Sequence, residues 1–225
     1  MDGDKGADFI LRKEGVLRYL IHGKIARSPE VIHSFLAVPR EEFVPPTLRD
    51  HAYDDCPLPI GYGQTISAIH MVVIMNEALE LKRGQKVLEI GAGSGYHAAL
   101  VAEIVGREGH VFTIEIVPEL VEFARENLKR TGYADRVTVI HGDGSVGYPK
   151  EAPYDRILVT AAAPGVPKPL LEQLKPEGIM VIPAGTIYLG QQLLKIRKAA
   201  DGSITEEDLG SVAFVPLRGK EGWRL

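Results

Sequence analysis

The run VLEIGAGSGYHAAL, residues 87–100, narrows the folds open to this chain more than any other stretch. A short apolar strand, KVLEI, runs into Gly91, Gly93 and Gly95 and then into the helical pattern YHAALVAEIV. Glycines at such a junction let the chain turn tightly and let a ligand approach backbone amides closely. The rhythm then repeats. Strand HVFTIEI leads to helix PELVEFARENLKRTG, with Pro118 at its start and Gly132 just past its end. Strands VTVIHGD and YDRILVTAAA follow, then a short helix, PKPLLEQLKPEG, stopped by Pro176 and Gly178, and strand IMVIPAG. This alternation predicts an α/β fold, a Rossmann-like doubly wound and mostly parallel sheet with helices on both faces. The period-two segments QQLLKIRKA, ITEEDLG and VAFVPLRG predict antiparallel C-terminal strands closing the sheet edge, with a turn at DGS.

Upstream, the apolar spacing predicts a helix over 8–22 and a second beginning at Pro29 with Ser28 as its cap. Prolines 39, 45 and 46, then YDDCPLPIGYGQ, predict an irregular stretch. A third helix, SAIHMVVIMNEAL, starts at Ser67, where the serine hydroxyl can cap it. The chain therefore reads as one domain over 1–225. Within it, 1–83 forms an N-terminal helical appendage with a substrate and active-site loop, 84–190 a cofactor-binding α/β core, and 191–225 the C-terminal strands and substrate rim. A chain of 225 residues can bury such a core without disulfides, and its single cysteine, Cys56, allows none. A net charge of −4 argues against a dedicated nucleic-acid surface. The N-terminus MDGDKGADFI lacks an apolar signal stretch and no membrane-length apolar window occurs, so the expected location is cytoplasmic. The seven histidines and one cysteine show no metal-ligand spacing, so no metal is expected.

Three strand ends carry acids where doubly wound sheets bind ligands. Glu89 lies two residues before Gly91. It would repel phosphate but can hold a cationic or amino group, directly or through water. Glu115 ends the second strand and can accept both hydroxyls of a ribose. Asp143 ends the third, able to accept from an adenine amine, and Gly144 leaves room for the ring. Tyr96 stands where a dinucleotide fingerprint wants glycine, and the Lys-Ser/Thr pair of a P-loop is missing. The pattern thus favours a nucleoside with an uncharged or positive tail over a pyrophosphate. S-adenosyl-L-methionine meets that description. Taken singly, each signal also has a structural explanation: a plain turn at the glycines or at Asp143-Gly144, a solvated strand end at Glu115.

Together with VPREEFVP (38–45), AYDDCPLPIGYGQTIS (52–67), GDG (142–144) and VAFVPLRG (212–219), this run resembles the protein-L-isoaspartate (D-aspartate) O-methyltransferases along essentially the whole chain. The LPIG.GQTIS run is the most specific part of that likeness. One small departure is Ile69, where the family often has proline before His70. The resemblance implies the S-adenosylmethionine-dependent methyltransferase fold. It also implies transfer of methyl to the free carboxylate of isoaspartyl residues in aged peptides and proteins, giving an ester that cyclises to succinimide. By the same likeness Ser67 falls on the active-site serine, with Thr65 and Ile66 in the wall between cofactor and substrate. Glu89, Gly91, Gly93, Gly95, Glu115, Asp143 and Gly144 fall on or beside cofactor positions, with His70 a further candidate. Ile60, Gln64, Ile66, Val212 and Val215 are expected to face the peptide, and a monomer is expected. A substrate embedded in a polypeptide needs a groove, whose rims would be 52–66 and the VAFVPL strand, offering free backbone groups to an added strand.

The chemistry needs no acid or base. A carboxylate is already ionised at neutral pH and a sulfonium is already a good leaving group. What remains is alignment and removal of water, a task suited to neutral donors such as the Ser67 and Thr65 hydroxyls. A covalent role for Ser67 is disfavoured because GQTIS is no nucleophile elbow. The competing readings are another S-adenosylmethionine enzyme acting on a small molecule or RNA, and an inactive binding protein of the same fold. A nicotinamide oxidoreductase ranks last.

Overall fold

The computed structural model describes residues 2–186 and 190–223. The expected segments 84–190 and 191–225 therefore include residues 187–189 and 224–225, which lie outside the described residues. Helix α1 spans Asp2–His22 and α2 spans Pro29–Ala37. Ser28 does occupy the cap position of α2, but its hydroxyl does not cap the helix. It donates instead to Glu77 Oε2 at 2.6 Å, while Glu77 Oε1 accepts from the Arg27 and Ser28 amides at 2.7 and 2.8 Å. One buried carboxylate from a distant element thus anchors the backbone just ahead of α2.

The stretch expected to be irregular holds a hairpin. Strands β1 (Leu58–Gly61) and β2 (Gln64–Ile66) pair antiparallel across Tyr62-Gly63. Both turn residues are left-handed, with φ of 55° and 72°, the conformation that two-residue hairpins favour. Helix α3 then runs Ile69–Leu79, two residues later than its sequence suggested. Ser67 does not cap it. Asp55 Oδ1 accepts from the His70 amide at 2.9 Å, so a loop carboxylate does that work.

From there the alternation is as the sequence predicts: β3 (Lys86–Ile90), α4 (Tyr96–Val105), β4 (His110–Glu115), α5 (Pro118–Arg130), β5 (Val137–His141), β6 (Tyr154–Val159) and α6 (Lys168–Gln173). Strand β7 (Leu174–Thr186) begins earlier than expected: α6 ends at Gln173, and Pro176 and Gly178 sit inside the strand, in an irregularity between the Tyr154 and Arg156 pairings. Strands β8 (Gly190–Lys198) and β9 (Ile204–Val212) complete the sheet. The order is β5-β4-β3-β6-β7-β8-β9, parallel from β5 to β7 and antiparallel at β8 and β9. Walking from β3 to β5 and from β6 to β7 goes in opposite directions, so right-handed crossovers put α4 and α5 on one face and α6 on the other.

Strand alternation divides the buried side chains accordingly. Val87, Val111 and Leu158 join a cluster with α3, α4 and α5 that extends to Leu17, Phe35 and Phe43 of the N-terminal segment. Leu88, Ile90 and Ile157 join a second cluster with Leu170 of α6. The VAFVPLRG segment departs from expectation. Only Val212 belongs to β9, and the chain then crosses back over the carboxyl edge, where Pro216 bridges Ala162 in parallel. Ala162 donates to Val215 O and accepts from Leu217 N, both at 2.8 Å, and Trp223 Nε1 donates to Ala162 O at 3.0 Å.

Candidate active site

The strand order reverses between β3 and β6, and at such a switch point the loops that follow the two strands diverge and leave a crevice. The glycine loop fills one side of it. Gly91 has φ of 95°, and a β-carbon there would collide with Thr160 Oγ1 just after β6. Thr160 Oγ1 donates within reach of both Gly91 O (2.8 Å) and Ile90 O (3.0 Å), which ties the two loops together at the base of the crevice. Glycine is needed at 91 both for its backbone angle and for space. Glu115 shapes the loop from the next strand: Oε2 accepts from Gly93 N at 2.9 Å, and Oε1 from Ile116 N and Val117 N at 2.9 and 3.0 Å. A carboxylate offers about four lone-pair sites, so Glu115 keeps acceptor capacity toward the crevice. At Gly144 a β-carbon would approach Ile90 Cγ2 to 2.6 Å, so this residue must be bare as well.

The result is an open cavity enclosing about 830 Å³ of space together with its mouth. Gly91, Gly93, Glu115 and Gly144 line it, as do Gln64, Thr65, Ile66 and Ser67 from β2 and its end, and Val215 from the C-terminal return. A second space, a groove, lies beside it, lined by His70, Met71, Val212 and Phe214. Thr65, Ser67, Thr160 and Val215 border both. The hydroxyls of Thr65 and Ser67 make no hydrogen bond among the described residues, whereas Ser67 O accepts from Arg40 Nη2 at 2.7 Å.

Several residues expected in the site stand elsewhere. Glu89 does not line the cavity. It is fully buried on the sheet face it shares with Thr113, whose hydroxyl donates to its Oε2 at 2.5 Å, while Oε1 has no partner. Burial, with a smaller contribution from Glu115, pushes its pKa up to about 8. Asp143 does not line the cavity either, and its carboxylate accepts from Ser145 N and Oγ (2.9 and 2.6 Å) and from Lys220 N (2.8 Å). Gly95 is the left-handed residue before α4 and packs against Leu128 rather than the cavity. Ile60 is buried beneath the loop, 3.3 Å from where a Gly93 β-carbon would be. His70 lies in the groove, not the cavity, with Nδ1 2.9 Å from Asp55 Oδ1. The rim offers fewer free backbone groups than expected, since the Gln191 side chain takes both Phe214 N (2.6 Å) and Phe214 O (3.0 Å).

Sequence reasoning did not single out Thr160, whose importance depends on the approach of β6 to β3. His97 lines the cavity, pairs through Nε2 with Asn76 Oδ1 at 3.0 Å, and is held neutral, its pKa lowered to about 3 by burial and by Arg40. Among the described residues no cluster of histidine, cysteine and acidic side chains could hold a metal ion.

Similarity to known proteins agrees with this geometry. The family model for protein-L-isoaspartate(D-aspartate) O-methyltransferase matches residues 11–222. A protein-L-isoaspartate O-methyltransferase of Hyperthermus butylicus is 60% identical over 220 residues, covering 95% of this chain and 90% of the relative. One from Methanopyrus kandleri is 61% identical over 198 residues, covering 88% and 87%. A Plasmodium falciparum structure described as a protein-L-isoaspartate O-methyltransferase, in complex with S-adenosyl-L-homocysteine, superposes with a TM-score of 0.81 at 29% identity, covering 91% of this chain and 97% of that one. The chain belongs to the protein-L-isoaspartate (D-aspartate) O-methyltransferase family.

Proposed function

We propose that the cavity holds S-adenosyl-L-methionine, that the adjoining groove holds the isoaspartyl segment of a damaged peptide or protein, and that methyl passes between them beside Ser67. The observation that carries this reading is the shared border: Thr65, Ser67, Thr160 and Val215 face both spaces. The cavity suits the donor. It offers a strand-end carboxylate, Glu115, to ribose hydroxyls and bare backbone at Gly91, Gly93 and Gly144, and it places no lysine where a P-loop would. The family is a repair methyltransferase family, and the chain transfers methyl to isoaspartyl carboxylates.

When bound, S-adenosylmethionine supplies a methyl group already activated by a positive sulfur. The chain's residues aim and dry the acceptor. The Ser67 and Thr65 hydroxyls, free of internal partners, donate to the carboxylate without neutralising it, which keeps the oxygen nucleophilic. Val212 and Val215 exclude water along the groove wall, and Ile66, buried behind the border, keeps β2 in place. Gln64 lines the cavity side of the border. His70 offers its Nε2 to the groove while Asp55 fixes the ring, a substrate-side role in place of the cofactor-side one. Glu89 lies beneath the loop without reaching the donor, and a positive sulfur nearby would favour its ionised form over the protonated one that burial favours. The ester then closes to succinimide as the neighbouring amide nitrogen attacks its carbonyl carbon and the C–OCH3 bond breaks, the amide proton leaving with methanol, which needs no further side chain.

We extend the reading to a single-domain monomer working in the cytoplasm. One continuous cluster joining Phe35 and Phe43 to α4 supports the single domain, and no helix among the described residues is long and apolar enough to cross a membrane. The test is transfer of labelled methyl to an isoaspartyl peptide beside its normal aspartyl twin and its D-aspartyl form. Base-labile label on the isoaspartyl peptide and not on the normal twin is expected; label on neither refutes the reading.

A further inference from the structure

Arg40 is the largest of the fully buried side chains, and it stands directly behind the border between cavity and groove. It lies in a single 3-10 turn, Arg40–Phe43, whose Phe43 ring packs against Tyr96 at 5.5 Å. Its Nε donates to Ala52 O at 2.8 Å and its Nη2 to Ser67 O at 2.7 Å, while the guanidinium carbon sits 4.9 Å from the Tyr96 ring centre. Nη1 is buried without a partner. Among the described residues no carboxylate forms an ion pair with it, because the nearby acids are engaged elsewhere: Glu41 with the Tyr53 hydroxyl at 2.6 Å and Asp55 with His70. A guanidinium keeps its proton under all ordinary conditions, so this is a full positive charge taken out of water without a counter-ion.

Such an arrangement is costly unless an anion arrives close by. The acceptor carboxylate would arrive at Ser67, on the far side of the same peptide. An arginine in direct contact would hold that carboxylate but drain the nucleophilicity of its oxygen. One peptide unit away, the charge attracts without forming a hydrogen bond. We propose that Arg40 is a positioning residue for methyl transfer: it fixes the Ser67 peptide from behind and lends its charge to the acceptor carboxylate without touching it. This rests on the isoaspartyl carboxylate being the acceptor. Unit charges about 7 Å apart at an effective dielectric constant of about 35 interact strongly enough to change affinity about tenfold.

The measurement is a ratio of affinities, taken by calorimetry on the full chain saturated with S-adenosylhomocysteine. One probe is an isoaspartyl peptide; the other is the same peptide with a carboxamide in place of the free carboxylate. In the unaltered protein the carboxylate form is expected to bind about tenfold tighter. Arg40→Met should bring the ratio near unity, and Arg40→Lys, which keeps the charge and loses the forked donation, should retain most of it while turnover falls. Affinity for S-adenosylmethionine should change less than about twofold in both. A role confined to architecture would weaken both peptides alike and leave the ratio intact in Arg40→Met, which overturns the proposal; so does a ratio that collapses equally in Arg40→Lys. Should Arg40→Met fail to fold, Arg40→Gln takes its place: a ratio near unity supports the proposal and an intact ratio overturns it. Absence of any isoaspartyl methylation by the unaltered protein would instead refute the functional reading.

Discussion

Replacing Glu89 by glutamine removes a proton equilibrium from the middle of the sheet while leaving an oxygen to accept from Thr113. Burial is the main reason this carboxyl holds its proton up to about 8, against an ordinary value of 4.5. Between those two values the folded protein binds more protons than the unfolded chain, so stability falls as pH rises through the window and levels off above it. The full window corresponds to at most about 4 kcal/mol between pH 5 and pH 9, and relaxation around a buried carboxylate reduces this to about 2–4 kcal/mol. Guanidinium unfolding of both proteins at pH 5, 7 and 9 measures it. Glu89→Gln should gain on the parent by about that amount across the series, and S-adenosylmethionine, whose tail is positive, should narrow the gap by favouring the ionised parent. Two stability curves that run parallel from pH 5 to 9 would refute the reasoning.

Gly91→Ala should abolish cofactor binding in calorimetry, and Thr160→Ala on top of it should not rescue binding, because φ of 95° remains. Glu115→Gln weakens its hold on Gly93 N and, through the loop, on the ligand; a loss of about 2 kcal/mol, some thirtyfold in cofactor affinity, is expected with little change in the groove. Glu77→Ala strands the amides of Arg27 and Ser28, and thermal unfolding should show a loss of about 2–4 kcal/mol without a change in KM. Ser67→Ala should lower kcat about tenfold or more while cofactor affinity stays within twofold; equal losses would make Ser67 an architectural residue.

The parallel core was legible because its strands are buried on both faces and carry unbroken apolar runs, while α5 shows a clear apolar stripe. What could not be read depended on partners far away in sequence. The start of α3 moved from Ser67 to Ile69 because Asp55 supplies the cap, and Ser28 gave up its helix to Glu77. The hairpin at 58–66 was hidden by Pro59, Gly61 and Gly63, which signal breaks but here form a tight turn and a bulge. Of the three strand-end acids only Glu115 lines the cavity, while Thr113 holds Glu89 and Ser145 and Lys220 hold Asp143, partners that local sequence does not reveal. Arg40, within VPREEF, reads as one more surface charge until the tertiary structure closes over it.

The return of the chain over the carboxyl edge has a consequence for how the protein is made. Residues 213–223 supply one wall of the cavity and tie it down through Ala162 and Asp143, yet they follow every strand of the sheet. During synthesis β3 to β7 and the glycine loop can assemble while β8, β9 and this wall are still inside the ribosome. A growing chain therefore passes through a stage that is folded but open at the site, and competence to hold a nucleoside arrives in one late step.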